Sequence, residues 1–186
     1  MGNQQATPFE LGWLVGAIDG EGCIGISRRN KRGKLGFTLK PHVQIANCDK
    51  TFIDRCTTIL EKINVPFHVS FYAGKNRRRE SWQIAIAGLK RVDKILPQIA
   101  EFLCEEKREK ALLVQEYITS RLSDWHAAPF TKRQLEITEL VSKLNVKGTK
   151  GPSLRDYTRS SRSSKFPYGN NTRDDIVQTT TAERQA

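Results

Sequence analysis

Nowhere in the 186-residue chain does an apolar run approach the roughly 20 residues that a membrane-spanning helix requires. The opening residues, Met1-Gly2-Asn3-Gln4-Gln5-Ala6, lack the basic stretch of a secretory signal, and Ala6 stands where a myristoylation signal needs Ser or Thr. The expectation is a soluble protein with no membrane partner, intracellular (cytoplasmic or organelle-made) and not secreted. Cysteine is scarce: Cys23, Cys48, Cys56 and Cys104 form no C-x-x-C pair. That argues against a zinc site or a disulfide framework and for reduced residues in or near the core. The three histidines, His42, His68 and His126, are too dispersed for a metal-histidine site. Acidic residues are missing altogether between Glu21 and Asp49, a stretch that holds Arg28, Arg29, Lys31, Arg32, Lys34 and Lys40.

What is present is positive charge. The formal net charge is +11 and the sequence pI about 9.7, which predicts attraction to polyanions. Nucleic acid is the first such partner to consider, ahead of anionic membrane surfaces and acidic proteins. At 38% hydrophobic, a chain of this length can bury one core and a small appendage.

Phe9 to Ile18 carries helix-compatible apolar residues, with Gly12, Gly16 and Gly20 at i, i+4 and i+8. That spacing lines the glycines up on one helix face. Each costs about 1 kcal/mol against alanine inside a helix, so close approach by a second helix is the available reason for three. Period-2 alternation follows in Cys23 to Arg29 and Phe37 to Asn47, predicting two half-buried strands with a hairpin loop at Lys31-Arg32-Gly33. Asp49 can cap a helix carrying Phe52, Ile53, Cys56, Ile59, Leu60 and Ile63. Alternation returns at Phe67 to Tyr72 and Ser81 to Ile86, around a basic loop from Lys75 to Arg79. Helical patterns then cover Val92 to Cys104, about Glu105 to Trp125, and Thr131 to Leu144. Trp13, Trp82 and Trp125 read as core or interface packing.

The polar faces of the four strands add up to Ser27, Arg29, Thr38, Lys40, His42, Gln44, His68, Ser70, Tyr72, Ser81 and Gln83, with no carboxylate among them. One face of an antiparallel sheet can stay in solvent. A free face of cations and hydrogen-bonding groups suits the base edges and phosphates of DNA. Gln pairs with adenine and Arg or Lys with guanine in the major groove. The loop cations Arg28, Lys31, Arg32 and Lys34, and Lys75, Arg77, Arg78 and Arg79, would hold phosphates. The same set would serve as the wet face of any basic protein, but such faces usually mix both signs of charge. From Gly148 to Ala186 the composition shifts to Gly, Ser, Thr, Asn and Arg. Lys150, Arg155, Arg159 and Arg162, with Tyr157, Phe166 and Tyr168 interleaved, suit a nucleic-acid-binding arm; a solvated tail without a partner is the alternative. The expected organisation is one domain over 1–147 and a basic extended tail over 148–186.

Asp19 and Glu21 fall at the C-terminal end of the first helix, where the macrodipole is negative and carboxylates stand against the field. A divalent cation would compensate, and Mg²⁺ takes one or two carboxylates plus phosphate and water. The alternative is an Asp-Gly turn with a solvated Glu21 beside it.

Leu14 to Gly22 reads Leu-Val-Gly-Ala-Ile-Asp-Gly-Glu-Gly and resembles the LAGLIDADG motif, with Leu14, Gly16, Ile18, Asp19 and Gly22 matching its letters and Glu21 keeping the second acid. The element order over roughly Phe9 to Ser123 also resembles that family's αββαββα core. The resemblance implies an α+β fold with a saddle-shaped antiparallel sheet, here followed by C-terminal helices and the basic tail. It implies that Glu21 binds the catalytic metal, Mg²⁺ or another divalent cation such as Mn²⁺, with the Gly20 carbonyl as a further ligand. Lys107 is the implied lysine near the scissile phosphate. Asn47, with Lys50 nearby, is the implied water-positioning group, where the family often has glutamine. A single motif implies a homodimer packed through the glycine-lined helix, with Gly12, Trp13, Gly16 and Asp19 at the interface.

The function so implied is that of an intron-encoded type of homing endonuclease, hydrolysing one phosphodiester in each strand of a long near-palindromic double-stranded site. The competing reading is an RNA maturase or DNA-binding regulator on the same fold, for which two acids beside phosphates would be of no use. Glu105-Glu106-Lys107 gives an E-x-K string, but in a helical segment without an upstream acid on a strand. A structural protein of ribosomal type is disfavoured by the combination of motif, hairpins and carboxylate-free face.

Overall fold

The computed structural model describes residues 5–30, 36–74, 79–124 and 128–145. Helix α1 (Pro8–Glu21) opens with a reciprocal cap. The Glu10 N–H donates to the Thr7 hydroxyl at 3.2 Å, and the Thr7 N–H donates to the Glu10 carboxylate at 2.9 Å. Pro8 takes the first helical position, where no N–H is needed. Leu14, Val15, Ala17 and Ile18 are buried, while Gly12, Gly16 and Gly20 face outward.

The chain then runs through β1 (Gly22–Asn30), β2 (Phe37–Asn47), α2 (Lys50–Lys62), β3 (His68–Tyr72) and β4 (Ser81–Ala87). Asp49 caps α2 by accepting from the Thr51 N–H at 2.8 Å. After β4 come α3 (Leu89–Ile99), a 3-10 turn (Ala100–Phe102), α4 (Glu105–Ser123) and α5 (Lys132–Leu144). Gly88 opens α3 at φ 102, a conformation that side chains other than glycine avoid. Pro97 sits near the end of α3 and cannot donate to the carbonyl one turn back, which fits the loosening into a 3-10 turn soon after.

The order helix, strand, strand, helix, strand, strand, helices is therefore the one expected from the hydrophobic periods, and the fold is α+β. The four strands form one antiparallel sheet in the order β1-β2-β4-β3, so the two hairpins lie side by side with β2 and β4 central. Ile24, Val43, Ile45, Ile84 and Ile86 are buried on one face, together with Ile18, Ile53, Ile95, Val114 and their neighbours on the helices. Removing one such side chain down to alanine costs on the order of 2–5 kcal/mol.

Helix α5 joins the core through Ile137 and Val141. It is fixed to α4 by fully buried Gln134, whose amide donates to the Ser120 hydroxyl at 2.8 Å and the Asp124 carboxylate at 2.7 Å. A bidentate Arg133–Glu116 pair at 2.7 and 2.8 Å lies outside it. All four cysteines are free thiols, but only Cys56 is buried. Cys23 lies on the open sheet face, and Cys48 and Cys104 stand at helix entrances, which corrects the expectation of core or near-core cysteines.

Candidate functional site

The register decides which side chains share the open face. Gln44 pairs with Cys23 on one side and Ala85 on the other, and Ala85 pairs with His68. The next rows are Ala46–Gln83–Ser70 and Ser81–Tyr72 in one direction, and Gly25–His42–Ala87, Ser27–Lys40 and Arg29–Thr38 in the other. Successive strand residues point to opposite faces, so these rows form one surface. Every strand residue expected on the wet face lies on it, and no described residue on it carries a carboxylate. Cys23, Ala46, Ala85 and Ala87 join them; period-2 parity already contained that signal.

Some of these groups are bound to one another. The Ser27 hydroxyl donates to the Lys40 carbonyl at 3.2 Å, and the Tyr72 hydroxyl to Gln83 Oε1 at 2.9 Å. His42 is held against Gly25, where a β-carbon would come within 3.2 Å of its ring. Its Nδ1 is buried without a hydrogen-bond partner among the described residues. Burial pushes its pKa below the ordinary 6.5, so the ring is neutral at neutral pH.

Arg28 is different from the rest of the set. It pairs with Leu39 and so lies on the opposite face, its guanidinium 4.0 Å from the centroid of the Phe37 ring. Arg79 is exposed just before β4. Lys31, Arg32, Lys34, Lys75, Arg77, Arg78, His126 and the tail cations Lys150, Arg155, Arg159 and Arg162 lie outside the described residues.

At the end of α1 the helix turns directly into β1. The Gly22 N–H donates to the Ile18 carbonyl, and a β-carbon at Gly22 would lie 2.6 Å from that oxygen. Glu21 is exposed and forms no ion pair among the described residues. The positive charge demanded by the helix end is supplied within the chain. Lys107 Nζ, from the first turn of α4, donates to the carbonyls of Ile18 at 2.6 Å and Asp19 at 2.5 Å. Gly20 and Glu21 remain as the helix-end residues beyond this ammonium. The Asp19 carboxylate accepts from the Cys104 N–H at 3.1 and 3.2 Å. Asp19, expected at a dimer interface, thus has a partner inside its own chain.

Asn47 and Lys50 are engaged locally. Asn47 Oδ1 accepts from the Asp49 N–H at 2.9 Å, shaping the entrance to α2, and Lys50 pairs with Asp54 at 2.6 Å on the outer surface of α2. No described contact joins either of them to Glu21 or Lys107.

The glycine stripe of α1 is open: a β-carbon at Gly12, Gly16 or Gly20 would meet nothing within 4 Å. Phe9 continues it at the helix start and is 74% exposed. Trp13 is half-buried against Phe52, with ring centroids 5.2 Å apart, and Arg55 covers it at 4.3 Å. Sequence reading missed Arg55; an arginine on α2 gave no sign of standing over two aromatic rings of α1.

No group of three His, Cys, Asp or Glu side chains able to hold a metal ion occurs among the described residues. One exposed carboxylate and neighbouring helix-end carbonyls provide oxygen donors only. That donor set fits Mg²⁺, which keeps waters and completes its shell with phosphate, and it does not fit a closed structural metal site.

Comparison with known proteins agrees with this geometry. Residues 14–118, more than half of the chain, match the family model described as LAGLIDADG endonuclease. An uncharacterised protein of Methanocaldococcus jannaschii is 37% identical over 71 residues, covering 38% of this chain and 24% of that protein. The chain thus spans about a quarter of the length of that curated relative. The homing endonuclease I-CvuI, solved in complex with its target in the presence of Ca, superposes with a TM-score of 0.59 at 17% identity, over 76% of this chain and 85% of that one. The archaeal intron-encoded I-Vdi141I, complexed with DNA, gives 0.60 at 20% identity over 75% and 86%. The group I intron-encoded I-CeuI, also complexed with DNA, gives 0.63 at 17% identity over 79% and 72%. At these identities the likeness to the solved structures establishes the fold.

Proposed function

The chain belongs to the LAGLIDADG endonuclease family, and from that premise we propose that it is a homodimeric homing endonuclease that cuts both strands of a long, near-palindromic DNA duplex with a divalent metal. The observation that carries the reading is the conjunction of two surfaces on one small domain. A sheet face without carboxylates lies beside a helix end with one exposed carboxylate, Glu21.

On this reading the open face enters the major groove. Gln44, Gln83, Lys40 and Arg29 read base edges, neutral His42 lies among them on the same face, and Arg79 holds a phosphate. The basic residues of 148–186 would add phosphate contacts. The open Gly12–Gly16 stripe packs against the same stripe of a second copy, an isologous contact that gives each DNA strand its own Glu21. Glu21 and the Gly20 carbonyl would hold the divalent metal, which would supply charge stabilisation for the attacking and leaving oxygens. Lys107, at the same helix end, contributes a positive charge beside the scissile phosphate. The water-orienting role that the family resemblance gives Asn47 and Lys50 would require both to leave their local partners, Asp49 and Asp54.

The test is a cleavage selection on a randomised duplex library with wild type and Glu21→Gln, in Mg²⁺ or EDTA. Near-palindromic duplexes cut only by wild type with Mg²⁺ are the expected result. Tight binding without cutting by wild type would move the reading to a DNA-binding regulator, or to an RNA maturase if intron RNA were bound instead. Full activity of Glu21→Gln at saturating Mg²⁺ would remove the metal assignment.

A further inference from the structure

Two helix ends meet at the motif, and each supplies the charge the other lacks. The C-terminus of α1 presents carbonyls, and the Lys107 ammonium of α4 lies on those of Ile18 and Asp19 at 2.6 and 2.5 Å. The N-terminus of α4 presents N–H groups, and the Asp19 carboxylate of α1 accepts from that of Cys104 at 3.1 and 3.2 Å. Lys107 stands three residues after Cys104, within the same first turn, so the two contacts form a closed clasp. Both are favourable with respect to the helix dipoles: an anion at an N-terminus and a cation at a C-terminus.

The first turn of α4 has no side-chain cap of its own: Cys104 is the N-cap, and its side chain makes no capping hydrogen bond. The turn before it is a short 3-10 segment with exposed Phe102. Lys107 is a flexible four-carbon chain that is costly to hold in one conformation. Leu103 and Ala111 pack the start of α4 into the core, and the Asp19–Cys104 bond is the contact that ties its first turn, from which Lys107 extends, to the end of α1.

We propose that Asp19 is a positioning residue: by holding the first turn of α4, it keeps the Lys107 ammonium at the end of the motif helix, two residues from Glu21. This rests on the endonuclease reading of Lys107 given above. Asp19 acts through Lys107 and not as a metal ligand, since both its oxygens face the Cys104 N–H. An asparagine at position 19 retains an oxygen that can accept the same bond, whereas alanine retains none.

The test combines a labelling measurement with a kinetic cycle. In the metal-free full-length protein, lysines are labelled with an amine-reactive acetylating reagent and followed by mass spectrometry, with exposed Lys50 as internal control. Lys107 should label slowly in wild type and Asp19→Asn, and severalfold faster in Asp19→Ala. In cleavage, Asp19→Ala should lower kcat by about a hundredfold, as a small misplacement of a reacting group does, with DNA affinity unchanged. Asp19→Asn should stay close to wild type, and Asp19→Ala should slow Lys107→Met no further.

Unchanged Lys107 labelling in Asp19→Ala would overturn the proposal. So would an Asp19→Asn as slow as Asp19→Ala, or an equal loss from Asp19→Ala in the Lys107→Met background. If Asp19→Ala does not fold by circular dichroism, Asp19→Ser, whose hydroxyl ends one bond short of the carboxylate oxygens, takes its place. A wild type that cuts nothing overturns the endonuclease reading instead, and the labelling then still confirms or overturns the clasp.

Discussion

Gly22 lies so close to Ile18 that a β-carbon on it would stand 2.6 Å from the Ile18 carbonyl oxygen and 2.8 Å from its α-carbon. Its φ of −88 is open to any residue, so the requirement for glycine is one of space and not of backbone conformation. Because the obstructing atoms are backbone, they cannot rotate away. Gly22→Ala should cost on the order of 1–3 kcal/mol, the usual range for overpacking. Urea unfolding measures it, and a variant as stable as wild type would mean that α1 and β1 can part here without penalty. The same carbonyl accepts from Lys107, so the variant should also raise the labelling rate of that lysine.

Gly16 gives a prediction whose sign carries the information. If its face stays in solvent, Gly16→Ala should stabilise the protein by about 1 kcal/mol through helix propensity alone. Packed against a second copy, the same methyl group should separate the helices and weaken association. The expected outcome is the second, read by sedimentation velocity as a shift towards monomer at micromolar concentration. A more stable variant with unchanged oligomeric state would remove the glycine stripe from the dimer interface.

Glu10 should make the start of α1 sensitive to acid. The hydrogen bond from the Lys62 ammonium, then that from the Thr7 N–H, lower its pKa from 4.5 to about 2. A depressed carboxylate contributes stability that is fully present above 4.5 and is lost as pH falls towards about 2. Wild type should therefore melt above Glu10→Gln at neutral pH, with the gap closing over that acid interval. A gap that stays constant throughout would show that the charge on Glu10 contributes nothing.

Arg79 and Gln44 should separate affinity from specificity. Arg79→Ala should weaken binding to all duplexes alike and reduce the slope of log affinity against log salt by about 1. Gln44→Ala should leave that slope alone and cost roughly 1–3 kcal/mol of discrimination at a single base position. Competition binding at several salt concentrations distinguishes the two, and identical behaviour of both variants would contradict a base-reading role for the sheet.

The strands are legible because Phe37 to Ile45 keeps its polar side chains on the even positions, and the paired strands keep that parity across the sheet. The motif placed Asp19 and Glu21 at a helix end for the same local reason. Contacts distant in sequence were not legible. Nothing in the spacing of residues 18 to 21 announces an ammonium from residue 107, so a metal was the only compensating charge in view. Its neighbours in sequence group Arg28 with the loop cations, whereas its parity puts it with Leu39. Asn47 and Lys50 were read by resemblance, while their hydrogen bonds follow the local chemistry of a turn and a helix surface. Exposed Cys23 follows from strand parity, which outweighs the general tendency of cysteine to be buried.

The alternation along each strand divides the sheet's residues into two populations. Val43, Ile45, Ile84 and Ile86 hold the core, and the residues between them hold none of it. A substitution at Gln44 or Gln83 can therefore alter the chemistry of the open face without touching what keeps the domain folded. Mutational drift can act on the outer population one residue at a time while selection for folding acts on the inner one. If that face reads DNA as proposed, the protein can follow a changing target through single substitutions, each tested on an intact scaffold.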